Sequence, residues 1–85
     1  MRYIMYEIVY DKKCINFLNK LPLTIKERIY KKLQSTKQDP FIYFERLSGR
    51  DDYKLRVGDY RAIADIDIKN KTIQVTVIGH RKNIY

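Results

Sequence analysis

The chain has 85 residues, with 18 Lys and Arg against 10 Asp and Glu, a net charge of +8 and a pI near 9.7. That length makes one small domain over residues 1–85, too small to enclose a deep cavity, so a site has to lie on a shallow surface. The charge favours a polyanionic partner, the lack of a long apolar run or signal-peptide pattern argues against a membrane, and one Cys with one His makes neither a disulfide framework nor a structural zinc site.

Residues 2–10 are rich in β-formers, with Ile4, Tyr6, Ile8 and Tyr10 on one parity, and read as a strand. Asp11 reads as the N-cap of a short helix to about Lys20, with Cys14, Phe17, Leu18 and Leu21 on one face. Pro22 ends it and suits the first turn of a second helix, for which Thr24 and Glu27 offer an alternative capping-box start. Ile25, Ile29 and Leu33 make the buried stripe of that helix. From Asp11 to Lys37 there are eight basic residues, including Lys26, Lys31 and Lys32, against two acidic ones. Most charge runs are solvated faces, but an excess of one sign raises the case for nucleic-acid contact.

Asp39-Pro40 marks a turn, and Phe41-Ile42-Tyr43-Phe44 reads as a loop or single turn packing its aromatics under a sheet. Gly58-Asp59, between two alternating runs, is a two-residue hairpin signal. It sets Val57 against Tyr60, Arg56 against Arg61, Leu55 against Ala62, Lys54 against Ile63 and Tyr53 against Ala64. Like charges directly opposite each other cost up to about 1 kcal/mol. Arg56 and Arg61 are therefore either an anion site, most naturally for phosphate, or two solvated arginines splayed apart. Asn70-Lys71 reads as a second hairpin loop, pairing Ile68 with Ile73, Ile66 with Val75, Ala64 with Val77 and Ala62 with Gly79, and so placing His80 opposite Arg61. The expected order is β-α-α-β-β-β, an α+β fold with a helical hairpin packed on a small, mainly antiparallel twisted sheet. One sheet face then gathers Lys54, Arg56, Arg61 and His80, with Arg81 and Tyr85 at its rim.

The runs Leu47-Ser48-Gly49, Tyr53-Lys54-Leu55-Arg56-Val57-Gly58-Asp59-Tyr60-Arg61 and Ile78-Gly79-His80-Arg81-Lys82-Asn83-Ile84-Tyr85 resemble, in order and spacing, the RelE/ParE toxin superfamily of toxin–antitoxin systems. Archaeal RelE toxins are the nearest in pattern. The resemblance implies a metal-independent mRNA endoribonuclease (an mRNA interferase) that acts in the ribosomal A site and inhibits translation. The RNA 2′-OH attacks the adjacent phosphate and a 5′-hydroxyl fragment leaves. The resemblance makes Arg61 the phosphate-holding arginine, Arg81 the arginine near the leaving group, and Lys54 with Arg56 the basic strand beside them. Tyr85 becomes the tyrosine that stacks on a base or assists proton transfer, though it follows Arg81 by only four residues. Asp52 stands where some RelE proteins carry a second lysine. His80 is the one side chain whose ordinary pKa lies near neutrality, which makes it a candidate for proton transfer or else a structural strand-end histidine. Lys26, Lys31 and Lys32 are expected on ribosomal RNA. No cofactor is implied. A cytoplasmic location is, together with an acidic RelB-like antitoxin that folds on binding in a heterotetramer or larger complex. Two other functions fit the same cations: a ParE-like inhibitor of DNA gyrase, and a non-catalytic RNA-binding domain.

Overall fold

The structure, a computed structural model, describes residues 5–84. The N-terminal strand is β1, Glu7–Tyr10, with Glu7 and Val9 exposed and Ile8 half-buried; Ile4 and Tyr85 lie outside the described residues. Helix α1, Lys12–Asn19, starts where Asp11 predicts, but the Asp11 carboxylate does not cap it. Its Oδ1 instead accepts from Gln74 Nε2, and its main-chain N–H donates to Val75 O at 3.0 Å. Asp11 thus fastens the strand-to-helix corner to the sheet. Pro22 occupies the N-cap position of α2, Leu23–Ser35, and Thr24 and Glu27 form no capping box.

The apolar stripes of both helices meet one face of the sheet. Cys14, Leu18, Ile29 and Leu33 are buried there in one cluster with Leu55, Val57, Ala62, Ala64, Ile73, Val75 and Ile78. Each large side chain removed from water in this way stabilises the fold by about 1.5–3 kcal/mol. After α2 comes α3, Pro40–Tyr43, a single turn in which Asp39 Oδ1 accepts from Phe41 N at 3.2 Å. The aromatic plug is smaller than expected. Pro40 and Phe44, four residues apart, are buried, whereas Phe41, Ile42 and Tyr43 lie on the other side of the turn and are exposed.

The sheet has one strand more than expected. Strand β2, Glu45–Arg46, pairs with β3, Tyr53–Val57, and the full order is β1-β5-β4-β3-β2, parallel only between β1 and β5. The hairpin of β3 and β4, Tyr60–Asp67, has the expected register at all five pairs, with Gly58 at φ +59° in its turn.

The hairpin of β4 and β5, Thr72–His80, differs from expectation, and the difference matters for the site. Asp67 accepts from Asn70 N at 3.0 Å and Asn70 Nδ2 at 2.8 Å, and Lys71 takes φ +53°. These bonds close a four-residue loop over 68–71 and hold the Asp67 carboxyl below its usual range. The pairs become Asp67 with Thr72, Ile66 with Ile73 and Ala64 with Val75, a two-residue offset that leaves the faces unchanged. Thr76 then bulges, its Oγ1 donating to Ile63 O at 3.3 Å. Beyond it Ile63 pairs with Val77, Ala62 with Ile78, Arg61 with Gly79 and Tyr60 with His80. The extra residue reverses the alternation, so His80 lies on the face of Tyr60 and not, as expected, opposite Arg61. The chain ends its described part in α4, Arg81–Ile84, which turns back over the sheet. A Cβ built on Gly79 would come within 3.1 Å of Ile84 Cγ1, so only glycine fits under that turn without displacement.

Candidate nucleic-acid interface

The Gly58-Asp59 turn is where the basic side chains converge. Arg61 does not face Arg56 across an open gap. Its Nη1 folds back to donate to Gly58 O and Tyr60 O, each at 2.8 Å, while Arg56 is exposed. These bonds commit part of the Arg61 guanidinium to carbonyl oxygens, which offsets some of the like-charge cost of standing opposite Arg56. Arg81 reaches the same turn from the start of α4: its main-chain N–H donates to Asp59 O at 2.8 Å, and its Nε lies 3.8 Å from Asp59 Oδ1. Arg28 approaches from α2, with its guanidinium 3.4–3.6 Å from where a Gly58 Cβ would stand. Three arginines from three elements therefore surround one two-residue turn. Lys54, two residues before Arg56 and on the same sheet face as Arg56 and Arg61, is half-buried.

A groove runs from this turn along α2. Arg28, Lys31, Lys32 and Ser35 form one wall, Arg56, Val57 and Gly58 the other, and the space between is about 440 Å³. Among the described residues, no acidic side chain lines it. Lys32 Nζ sits 5.1 Å from the centre of the Tyr43 ring, a cation–π arrangement that tethers the lysine beside the groove. The structure thus joins Lys31 and Lys32, two of the three lysines expected on RNA, to Arg56. Lys26 is not among them. Its Nζ donates to Asn19 Oδ1 at 2.7 Å, across the seam between α1 and α2, where it borders an apolar hollow with Leu18, Leu23 and Tyr30.

His80 is built into the other side of the sheet. Its ring stands edge-on to Tyr60 with centroids 5.5 Å apart, and Phe17 packs on Tyr60 at 6.3 Å. Its Nδ1 accepts from Lys82 N at 3.2 Å, which puts the proton of the neutral ring on Nε2. His80 therefore ends β5 and starts α4 rather than completing the Lys54–Arg56–Arg61 row. Tyr85 lies outside the described residues.

Residues 6–85 match a family model described as the ParE toxin of type II toxin–antitoxin system, parDE. The chain belongs to that family. It is a toxin of a type II toxin–antitoxin system within the RelE/ParE superfamily, as the three sequence motifs suggested. Solved RelE structures share its fold. A chain of the toxin–antitoxin complex RelBE2 from Mycobacterium tuberculosis superimposes with a TM-score of 0.80 at 21% identity, over 92% of this toxin and 100% of that chain. The archaeal RelE–RelB complex from Pyrococcus horikoshii OT3 gives 0.78 at 23% identity, over 94% and 99%. A mutant of the E. coli toxin RelE in the free state gives 0.79 at 26% identity, over 95% and 88%. No curated protein matches the chain.

Sequence reasoning counted Arg28 among the eight basic residues of the helices in this toxin but did not single it out as a site residue. A signal for it exists: Arg28, Lys31, Lys32 and Ser35 fall at i, i+3, i+4 and i+7, one face of a helix, flanking the Ile25–Ile29–Leu33 stripe. What the spacing does not reveal is that this face meets the hairpin turn, which depends on how α2 crosses β3.

Proposed function

We propose that this toxin is a ribosome-dependent mRNA endoribonuclease that cleaves in the A site and so arrests translation. The observation that carries the reading is the attachment of Arg61 and Arg81 to the same turn, each with guanidinium donors unused among the described residues. Two guanidiniums converging from different elements suit a phosphate whose charge grows as it becomes five-coordinate. In the reaction the RNA 2′-oxygen loses its proton and bonds to the adjacent phosphorus. The bond from phosphorus to the 5′ oxygen breaks, and that oxygen takes up a proton. The products are a 2′,3′-cyclic phosphate and a 5′-hydroxyl end.

In this scheme Arg61 holds the phosphate, Arg81 neutralises the leaving side, and Lys54 supports the charge from the neighbouring strand. Tyr85 stacks on a base or assists proton transfer. His80, engaged through Nδ1 with Lys82, orients the chain that bears Arg81. Arg56, Lys31 and Lys32, with Arg28, hold further phosphates along the groove, and Lys26 meets RNA from the helical seam. The site is open and poor in a strong general base, so the ribosome has to pre-arrange the RNA, and free RNA is cut poorly. The toxin acts in the cytoplasm, and its antidote is an acidic RelB-like antitoxin that folds on it in a heterotetramer or larger complex.

The second reading is favoured by the ParE family match: an inhibitor of DNA gyrase that acts by binding alone. Mapping 5′ ends of a translated mRNA, beside a gyrase supercoiling assay, separates the two. Ribosome-dependent cuts that disappear in Arg61→Ala and Arg81→Ala are the expected result. Gyrase poisoning without RNA cuts would establish the second reading.

A further inference from the structure

Arg61 belongs to β4, and Arg81 follows twenty residues later at the start of α4, so nothing local fixes the distance between them. The turn does. Arg61 uses Nη1 alone to grip the carbonyls of Gly58 and Tyr60. Arg81 is anchored by its main-chain N–H on Asp59 O, and its Nε lies 3.8 Å from Asp59 Oδ1, an ion pair longer than a hydrogen bond. Among the described residues, Nε and Nη2 of Arg61 and all three side-chain nitrogens of Arg81 have no hydrogen-bond partner, Arg81 Nε having only the ion-pair contact with Asp59. Both guanidiniums are thus steadied by the turn while keeping donors for an anion.

Asp59 is the puzzling member of this arrangement. A carboxylate beside an RNA phosphate repels it, and an ion pair whose side chains are 56% and 67% exposed adds little to stability. We infer that Asp59 is a positioning residue: its carbonyl fixes the start of α4 and its carboxylate orients the Arg81 guanidinium, so that one turn sets the Arg61–Arg81 separation. The inference rests on the ribonuclease reading for its effect on rate, but the orientation itself is a property of the free toxin. Pre-ordering one long side chain is worth about two- to tenfold in rate.

The test compares the full chain with Asp59→Ala, Asp59→Asn and Asp59→Glu. Two quantities are measured: kcat and KM for cleavage of mRNA on programmed ribosomes, and hydrogen exchange of the arginine Nε–H groups by NMR in the free protein. Asp59→Ala is expected to lower kcat by about two- to tenfold with little change in KM, and to speed exchange at Arg81 Nε–H. Asp59→Glu, which keeps the charge, is expected to restore most of both. If the loss of negative charge speeds cleavage or lowers KM, Asp59 merely repels RNA and the inference falls. Unchanged kcat together with unchanged Arg81 exchange overturns it as well. If the unaltered toxin cuts nothing, the ribonuclease reading fails on its own, and the exchange comparison still decides whether Asp59 orients Arg81.

Discussion

Arg61 steadies the Gly58-Asp59 turn and is proposed to hold substrate, with a single guanidinium. A lysine at this position has one nitrogen and cannot keep two carbonyls while gripping a phosphate. Arg61→Lys is therefore expected to lose cleavage nearly as fully as Arg61→Ala, by about a hundredfold or more. The stability cost of either change is expected to be about 1–2 kcal/mol, because one bond is exposed and the other only part-buried. End mapping beside a thermal melt separates the two effects. Two other residues report on the core. Burial pushes the Cys14 thiol and the Tyr10 hydroxyl above their ordinary values. Both groups are neutral when protonated, so a raised folded pKa means the native state binds more protons than the unfolded chain as pH rises. Stability is accordingly expected to stay level below about pH 8.5 and to fall above it, which urea melts across pH 7 to 10 would detect. A thiol reagent should label Cys14 only as the protein opens.

The elements show why one hairpin could be read from the residues and the other could not. In the first, Gly58 at φ +59° and clean alternation on both arms leave a single register. Gly58→Val meets both a disfavoured backbone region and the Arg28 guanidinium, and is expected to cost about 1–3 kcal/mol in a denaturant melt. In the second, the loop is made by side-chain bonds of Asp67 to Asn70, and the bulge falls at a threonine, a residue equally at home in a regular strand. Nothing in the alternation of Ile73, Val75, Val77 and Gly79 announces the change of face after Val75. His80 was misplaced for that reason alone, while the pairing partners near the loop kept their faces. The same stretch gives a test of α4. Gly79→Val would push Ile84 away and loosen the turn that begins with Arg81. The expected outcome is lost cleavage with faster amide exchange confined to residues 81–84, and with the sheet intact.

At the scale of the molecule, a charge of +8 made a polyanion-binding surface the reading to pursue, and periodicity gave the β-α-α-β-β-β order, to which the structure adds β2 and the short turns α3 and α4. Composition could not say where the cations gather, because that depends on the crossing of α2 over the exposed end of β3. The groove between them concentrates Arg28, Lys31, Lys32 and Arg56. If it carries RNA phosphates, the double change Lys31→Glu and Lys32→Glu should leave the thermal melt almost unchanged. It should weaken ribosome binding and lower the dependence of binding on salt by about one unit of slope per lost contact. Binding measured at several salt concentrations checks this. An unchanged slope would show that α2 faces solvent in the bound state.

The parallel pairing of β1 with β5 has a consequence in time rather than space. Tyr10 lies beside Val75, so the sheet cannot close on its first strand until β5 has been synthesised. At about 5–20 residues per second, that interval is roughly 3–13 s. Until then β1 and the helical hairpin have only part of the surface they fold against, and the strand that leads to Arg81 is missing. A protein proposed to attack translating ribosomes would therefore be inert on the ribosome that is making it through most of its own synthesis.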